Sequence, residues 1–308
     1  MRKTLLLATT LALGLGLVTA SVAQAPPAQN FAPGQTISYE ATEMLFGPGS
    51  EAVEPFKIVG NVYYVGARNI AAYLITTPEG HILLDTGTTR MQGSLGRNIE
   101  KLGFKLSDVK VLLTSHAHVD HIEGHTFVQR ITGATVIAMR GDAEAMATGV
   151  DLSGTHANGW EPIKIDRIID DNEEITLGGT TMRAILTPGH TPGNTTWVMT
   201  TKEGDKSYQI VFGGPATPII GNVKYNTPLE PVVVSFRRLR ELKPDMILSG
   251  HPEGAFRGKL DAVRAGQRPH PLLLQAGAWT KTLDDAEANY KKRVAENKIT
   301  GSGAARSR

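Results

Sequence analysis

The order of apolar runs along the chain predicts an α/β protein built as an αββα sandwich, two mixed β-sheets face to face and flanked by helices. Three observations predict it. Strand-like and helix-like stretches follow one another as strands, helices, strands, helices, in two similar halves. A chain of 308 residues with 41% hydrophobic content can build a sizeable core. No linker splits residues 56–300, and neither a repeat nor a low-complexity tract interrupts them.

In chain order, Met1, Arg2 and Lys3 give a short positive start, residues 5–18 are apolar, and small residues follow at Ala20, Ser21, Ala23 and Ala25. This is the tripartite pattern of a secretory signal, and its apolar part is shorter than the ~20 residues of a spanning helix. Residues 1–23 therefore read as a signal peptide, with cleavage after Ala23 fitting better than after Ala25, which Pro26 follows. The mature chain is expected to be periplasmic or secreted. Residues 24–55, rich in Pro, Ala and Gly, read as a lead-in without a core of its own.

Strands are expected at 56–59, 62–65, 71–76 and 81–84, the last two joined into a hairpin by Pro78-Glu79-Gly80. The tight loop Asp85-Thr86-Gly87, a helix over 91–102 and an apolar strand ending at Leu113 come next. A helix over 122–131, a strand over 135–139, a short helix over 142–147 and a polar, glycine-bearing loop over 151–160 make up the middle. Further strands are expected at 163–169, 174–177, 181–186, 195–200 and 208–212. A helix over 232–242, a strand over 246–248 and helices over 259–265 and 283–297 complete the domain, leaving 301–308 as a flexible tail.

Charge excludes some partners. The 32 basic residues include Arg2 and Lys3, whose removal leaves 30 against 30 acidic ones. A near-neutral mature chain offers no electrostatic footing for nucleic acid, and none for a membrane beyond the export signal. The chain has no cysteine, so disulfides are excluded and any metal must be held by His, Asp or Glu.

The segment TSHAHVDHIEGH, residues 114–125, carries four of the chain's nine histidines directly after an apolar strand. His116 and His118, two apart, point to one side if strand geometry persists. Asp120 and His121 follow where the chain turns toward a helix. Imidazole and carboxylate suit borderline cations such as Zn²⁺. The design recurs twice, as an apolar run, a glycine and one histidine: Ile185-Leu186-Thr187-Pro188-Gly189-His190 and Ile247-Leu248-Ser249-Gly250-His251.

His-x-His-x-Asp-His, then Gly-His-Thr-Pro-Gly and a late Gly-His, resembles the metallo-β-lactamase superfamily, from about Phe56 to His270. Residues 73–85 and 189–197 look most like class B, subclass 3 metallo-β-lactamases. The resemblance implies the αββα fold and two zinc ions, one held by His116, His118 and His190, the other by Asp120, His121 and His251. It implies hydrolysis of the amide bond of a small-molecule β-lactam, the activity behind antibiotic resistance. A metal-bound hydroxide would attack without a covalent enzyme intermediate, and Asp120 would orient it and help move a proton. Three protein ligands per ion leave a position open for water, as in catalytic sites.

The chain departs from the family in one place. Thioesterases and lactonases of the superfamily carry a metal-bridging Asp after an apolar-Phe-x-Gly strand, where this chain has Val211-Phe212-Gly213-Gly214-Pro215. Subclass 3 lactamases usually carry a serine near this point to hold the substrate carboxylate. Pro215 offers neither group, which leaves Thr217 and Asn222 as the nearest substrate-binding candidates, with Lys224 just beyond. Asp85 either supports the histidines or is a plain turn aspartate.

His125 is expected at the surface, His81 half-exposed on a strand, His156 and His270 in ordinary loops, and Trp197 in the core. Hydrolysis of a lactone or a thioester by the same kind of centre is the alternative function. An exported zinc carrier fits less well, because six donors spread from 116 to 251 converge only in a fold. On this reading His118→Ala abolishes activity and His125→Ala spares it.

Overall fold

A computed structural model describes residues 48–151, 159–214, 229–252 and 259–304. The chain divides into two units, of which Met1–Ala32 lies wholly outside the described residues and Pro33–Arg308 contains all of them. The expected signal peptide, His156, Pro215, Thr217, Asn222 and Lys224 also lie outside them.

Within the second unit, twelve strands and seven helices are described. The first half contains β1 (Phe56–Val59), β2 (Val62–Tyr64), β3 (Tyr73–Thr77), β4 (Gly80–Leu84), α1 (Gln92–Lys101), β5 (Val109–Leu113), α2 (Val119–Ile122), α3 (His125–Thr132), β6 (Thr135–Met139), α4 (Arg140–Thr148) and β7 (Arg167–Ile169). The second contains β8 (Glu174–Leu177), β9 (Thr180–Leu186), β10 (Thr195–Glu203), β11 (Lys206–Phe212), α5 (Leu229–Glu241), β12 (Met246–Leu248), α6 (Leu260–Arg264) and α7 (Ala278–Ala304). One sheet runs β1-β2-β3-β4-β5-β6-β7 and the other β12-β11-β10-β9-β8. Both are mixed: β1 to β4 pair antiparallel and β4 to β7 parallel, while β8 to β11 pair antiparallel and β11 with β12 parallel.

The pleat sorts side chains into three apolar layers. Tyr73, Ile75, Ile82, Leu84, Ile137 and Met139 of the first sheet meet Met182, Ala184, Trp197, Met199, Ile210 and Phe212 of the second between the sheets. Their strand neighbours Leu74, Leu83, Val136 and Ala138 point the other way, against Leu95, Ile99, Val128 and Met146 of α1, α3 and α4. On the far side, Ile185, Val198 and Val211 pack on Val232, Phe236 and Leu239 of α5 and on Trp279 and Leu283 of α7. Spacings of four and three within α5 set those residues on one helical stripe. The observed architecture is the αββα sandwich.

Trp197 is in the core, as expected. Its Nε1–H donates to Thr114 O at 2.9 Å and ties β10 of one sheet to the end of β5 in the other. Burying a side chain of this size contributes on the order of 2–3 kcal/mol.

Three elements differ from expectation. The single helix over 122–131 is two helices, because the 85–87 loop captures the backbone between them. Thr86 N–H and Gly87 N–H donate to His121 O at 2.9 and 3.1 Å, and Gly124 N–H donates to Gly87 O at 3.1 Å. The strand expected over 163–169 forms only at Arg167–Ile169; Ile163 N–H bonds Met146 O at 3.0 Å instead and its side chain packs in the helical layer. The last helix begins five residues early because Trp279 anchors its first turn, donating to Leu239 O at 2.9 Å. At the other end the helix continues to Ala304, into the segment expected as a tail.

Candidate metal centre

Every donor of interest sits just beyond the carboxyl end of a strand. Asp85 follows β4, the segment 114–121 follows β5, His190 follows β9 and His251 follows β12. Because β4 and β5 run parallel, with Leu84 opposite Leu113, their ends emerge side by side. The chain does not continue as a strand through His116 and His118. His118 N–H donates to His116 O at 3.0 Å, and this tight turn, rather than the pleat, sets the two rings 4.7 Å apart. His118 caps α2, whose first turn carries Asp120 and His121 inward.

Two donor sets result. One ligand atom each from His116, His118 and His190 lie within 4.8 Å of one another, and so do those of Asp120, His121 and His251. The sets adjoin, the His116 and His121 rings being 4.0 Å apart. Asp120 Oδ2 lies 3.3 Å from His121 Nε2 and 3.4 Å from His251 Nε2.

The supporting hydrogen bonds fix which ring nitrogen faces each set. Asp85, held at φ 59°, accepts Ser115 N–H at 2.8 Å, Ser115 Oγ–H at 2.6 Å and His121 Nδ1–H at 2.9 Å. With its proton committed to Asp85, Ser115 Oγ accepts from His116 Nδ1, 3.1 Å away. His251 Nδ1–H donates to Asn69 O at 2.9 Å. In all three rings Nδ1 carries the hydrogen, so Nε2 presents its lone pair to the centre, as in histidines that bind metals.

Cations fit what remains. Nε2 of His116 is buried without a hydrogen-bond partner, a costly state that a metal bond relieves. Burial and the surrounding histidines hold His116 well below the ordinary imidazole pKa, so it stays a neutral donor. Burial also acts to lower His121, but Asp120 and Asp85 on either side prevail and raise it to about 10. The two carboxylates thus demand positive charge at this position, which a bound dication supplies as well as a proton does.

A cavity of about 580 Å³ opens over both sets. His116, His121, His190 and His251 line its polar side, Phe212 and Leu272 belong to its apolar wall, and Lys259 reaches it from the start of α6. Its volume suits a small organic ligand.

All six candidate ligands converge, and Asp85 bonds directly to one of them. Two other histidines differ from expectation, and a third, His270, lies in a loop as expected but with its ring enclosed. His125 is fully buried, 2.9 Å from Thr86 Oγ1 and 3.0 Å from Thr114 Oγ1. His81 is buried edge-on to Phe104, since β4 is covered on both faces. His270 is buried too, its Nε2 donating to Ile58 O at 2.9 Å and its Nδ1 accepting Leu272 N–H at 3.2 Å. Sequence reasoning missed Ser115, Asn69 and Asp142, whose partners lie up to 182 positions away and leave no local signal.

Comparison with known proteins agrees with this geometry. Residues 65–251 match the Metallo-beta-lactamase superfamily. The solved structure of BJP-1, a subclass B3 metallo-beta-lactamase of Bradyrhizobium japonicum, superposes with a TM-score of 0.75 at 32% identity, covering 82% of this chain and 98% of that one. The class B3 di-zinc metallo-beta-lactamase LRA-12 from an Alaskan soil metagenome gives 0.70 at 30% identity, over 80% and 96% of the two chains. A hydroxyacylglutathione hydrolase of Brucella anthropi is 28% identical over 187 residues, 60% of this chain and 56% of that protein, so the chain spans little more than half its length. Fold and paired donor sets define the class, a metal-dependent hydrolase. The chain belongs to the metallo-beta-lactamase superfamily.

Proposed function

We propose that the chain hydrolyses the amide bond of β-lactams with two zinc ions, one held by His116, His118 and His190 and the other by Asp120, His121 and His251. The observation that carries this reading is the second donor set. Asp120, His121 and His251 complete it from their own side chains, while the strand end at Phe212 is followed by Gly213, Gly214 and Pro215 and supplies no bridging carboxylate. Near-full-length likeness to BJP-1 supports the same reading.

When bound, zinc lowers the pKa of water to ~7 and draws charge from a carbonyl oxygen. The chain's residues do the rest. Asp120, between His121 and His251, orients the attacking water and takes up a proton. Asp85 and Asn69 lock the imidazole tautomers. Ser115 Oγ is committed to Asp85 at 2.6 Å, which makes it a positioning group rather than a nucleophile. The apolar wall at Phe212 and Leu272 shields the substrate ring from bulk water.

The test is turnover of a chromogenic cephalosporin beside an aliphatic lactone and a glutathione thioester, each with and without a chelator. Chelator-sensitive lactam hydrolysis, faster than that of the other two, is expected. Turnover of the thioester alone would establish the second reading, which the Brucella anthropi relative favours. The proposal also places the mature chain in the periplasm or outside the cell, on the strength of residues 1–23. Among the described residues no helix is long and apolar enough to cross a membrane.

A further inference from the structure

Asp142 is buried in the first turn of α4 and touches neither donor set directly. Its carboxylate accepts three hydrogen bonds: Ala117 N–H at 2.8 Å, Thr191 Oγ1–H at 2.7 Å and Gly193 N–H at 2.7 Å. Ala117 is the residue between His116 and His118, and Thr191 immediately follows His190. One carboxylate therefore holds the backbone N–H between His116 and His118 and, through the Thr191 hydroxyl and the Gly193 N–H, the loop that carries His190. Among the described residues, none of its bonds reaches the segments 119–121 or 249–251 that carry the other set.

The contact is built for closeness. A Cβ on Gly193 would stand 2.6 Å from Asp142 Cγ, and one on Gly141 would stand 2.5 Å from the Pro192 carbonyl carbon. Both distances are shorter than real Cβ contacts, so only glycines let the helix start and the His190 loop meet at this distance. Two of the bonds come from backbone N–H groups in loops that have no strand ladder to satisfy them. Removing the acceptor leaves buried donors unpaired on both loops at once.

We infer that Asp142 is a positioning residue for one donor set only: it joins the loop after β5 to the loop after β9 so that His116, His118 and His190 share a single ion. The inference rests on the metal reading of the two sets. Asp85 differs, because it bonds His121 of one set and, through Ser115, reaches His116 of the other.

Asp142→Asn is nearly isosteric but turns one acceptor oxygen into a donor, facing N–H groups. Cobalt(II) binding by the full-length protein, measured by competition with a coloured chelator, tests the inference without reference to activity. In a His251→Ala background, where only the first set is complete, Asp142→Asn is expected to weaken cobalt binding by roughly 10- to 100-fold, the range for groups that orient metal ligands. In a His190→Ala background, where only the second set is complete, binding is expected to change less than about threefold. Thr191→Val, which removes one bond and keeps the carboxylate, gives the same pattern at a smaller size and serves if Asp142→Asn does not fold. Equal losses in both backgrounds, or none in either, would overturn the inference. Absence of cobalt binding by the unsubstituted chain would overturn the metal reading itself, and this one with it.

Discussion

Replacing His118 with alanine lowers hydrolysis by more than about 100-fold, the upper range for losing a group that merely supports a metal ligand. His118 is buried, with its ring 4.5 Å from that of His190 and 4.7 Å from that of His116. Alanine leaves a set with two nitrogens where three converge, and three protein ligands are what a catalytic zinc site uses. The backbone need not change, since His118 caps α2 from an extended conformation (φ −122°, ψ 153°) that alanine adopts freely, and the side chain makes no cap hydrogen bond. The loss should therefore fall on kcat/KM and on bound metal, measured as zinc per chain by atomic emission, while the helical signal in circular dichroism is kept. A variant retaining more than a tenth of the activity and a full complement of metal would remove His118 from the ligand set.

The candidate centre was legible in sequence because its donors are placed by strand ends. A buried strand announces itself as an apolar run, and the first polar residues after it are fixed in space by the ladder before them. His190 and His251 could be picked out for that reason, each following Leu186 or Leu248 by a few residues. The same logic gave the sandwich, since the alternating residues of β3, β4, β6, β9, β10 and β11 divide cleanly between layers.

What escaped was everything decided by distant partners. His81 alternates like a half-exposed residue, but β4 lies inside its sheet between β3 and β5 and Phe104 covers its outer face. The pairing of His116 with His118 came out right for a reason the spacing did not supply, a turn in place of a pleat. Asp142 reads in sequence as an ordinary acidic residue at a helix start, and only the approach of the 191–193 loop gives it a second task. His125 is the clearest case: on a helix after a run of ligands it looked spare, yet the 86 and 114 hydroxyls close over it from two other segments.

That burial changes what His125→Ala does. The ring bridges Thr86 and Thr114 with no exposure to solvent, so alanine leaves two buried hydroxyls short of a partner beside a cavity. Together these cost about 3 kcal/mol, and because Thr86 N–H also holds His121 O at 2.9 Å the loosening reaches the centre. The variant is expected to lose stability first and activity as a consequence, not to be silent. Acid adds a signature. Burial, with help from His121 and against Asp85 and the Leu113 carbonyl, lowers the His125 pKa to about 4, against 6.5 in the unfolded chain. The unfolded form therefore takes up a proton first as pH falls. Neutral His125 contributes stability fully above pH 6.5, and that contribution is lost on descending toward pH 4. The slope is at most ~1.4 kcal/mol per pH unit, for a total of roughly 3 kcal/mol. His125→Gln keeps a hydrogen-bonding side chain that does not titrate. Urea unfolding of both proteins at pH 7.5 and pH 5 checks the sign, and the unsubstituted chain should lose about 1–2 kcal/mol more than the glutamine variant between those values. Parallel losses would mean that the ring is protonated in the native state at pH 5 and is not held neutral by its burial.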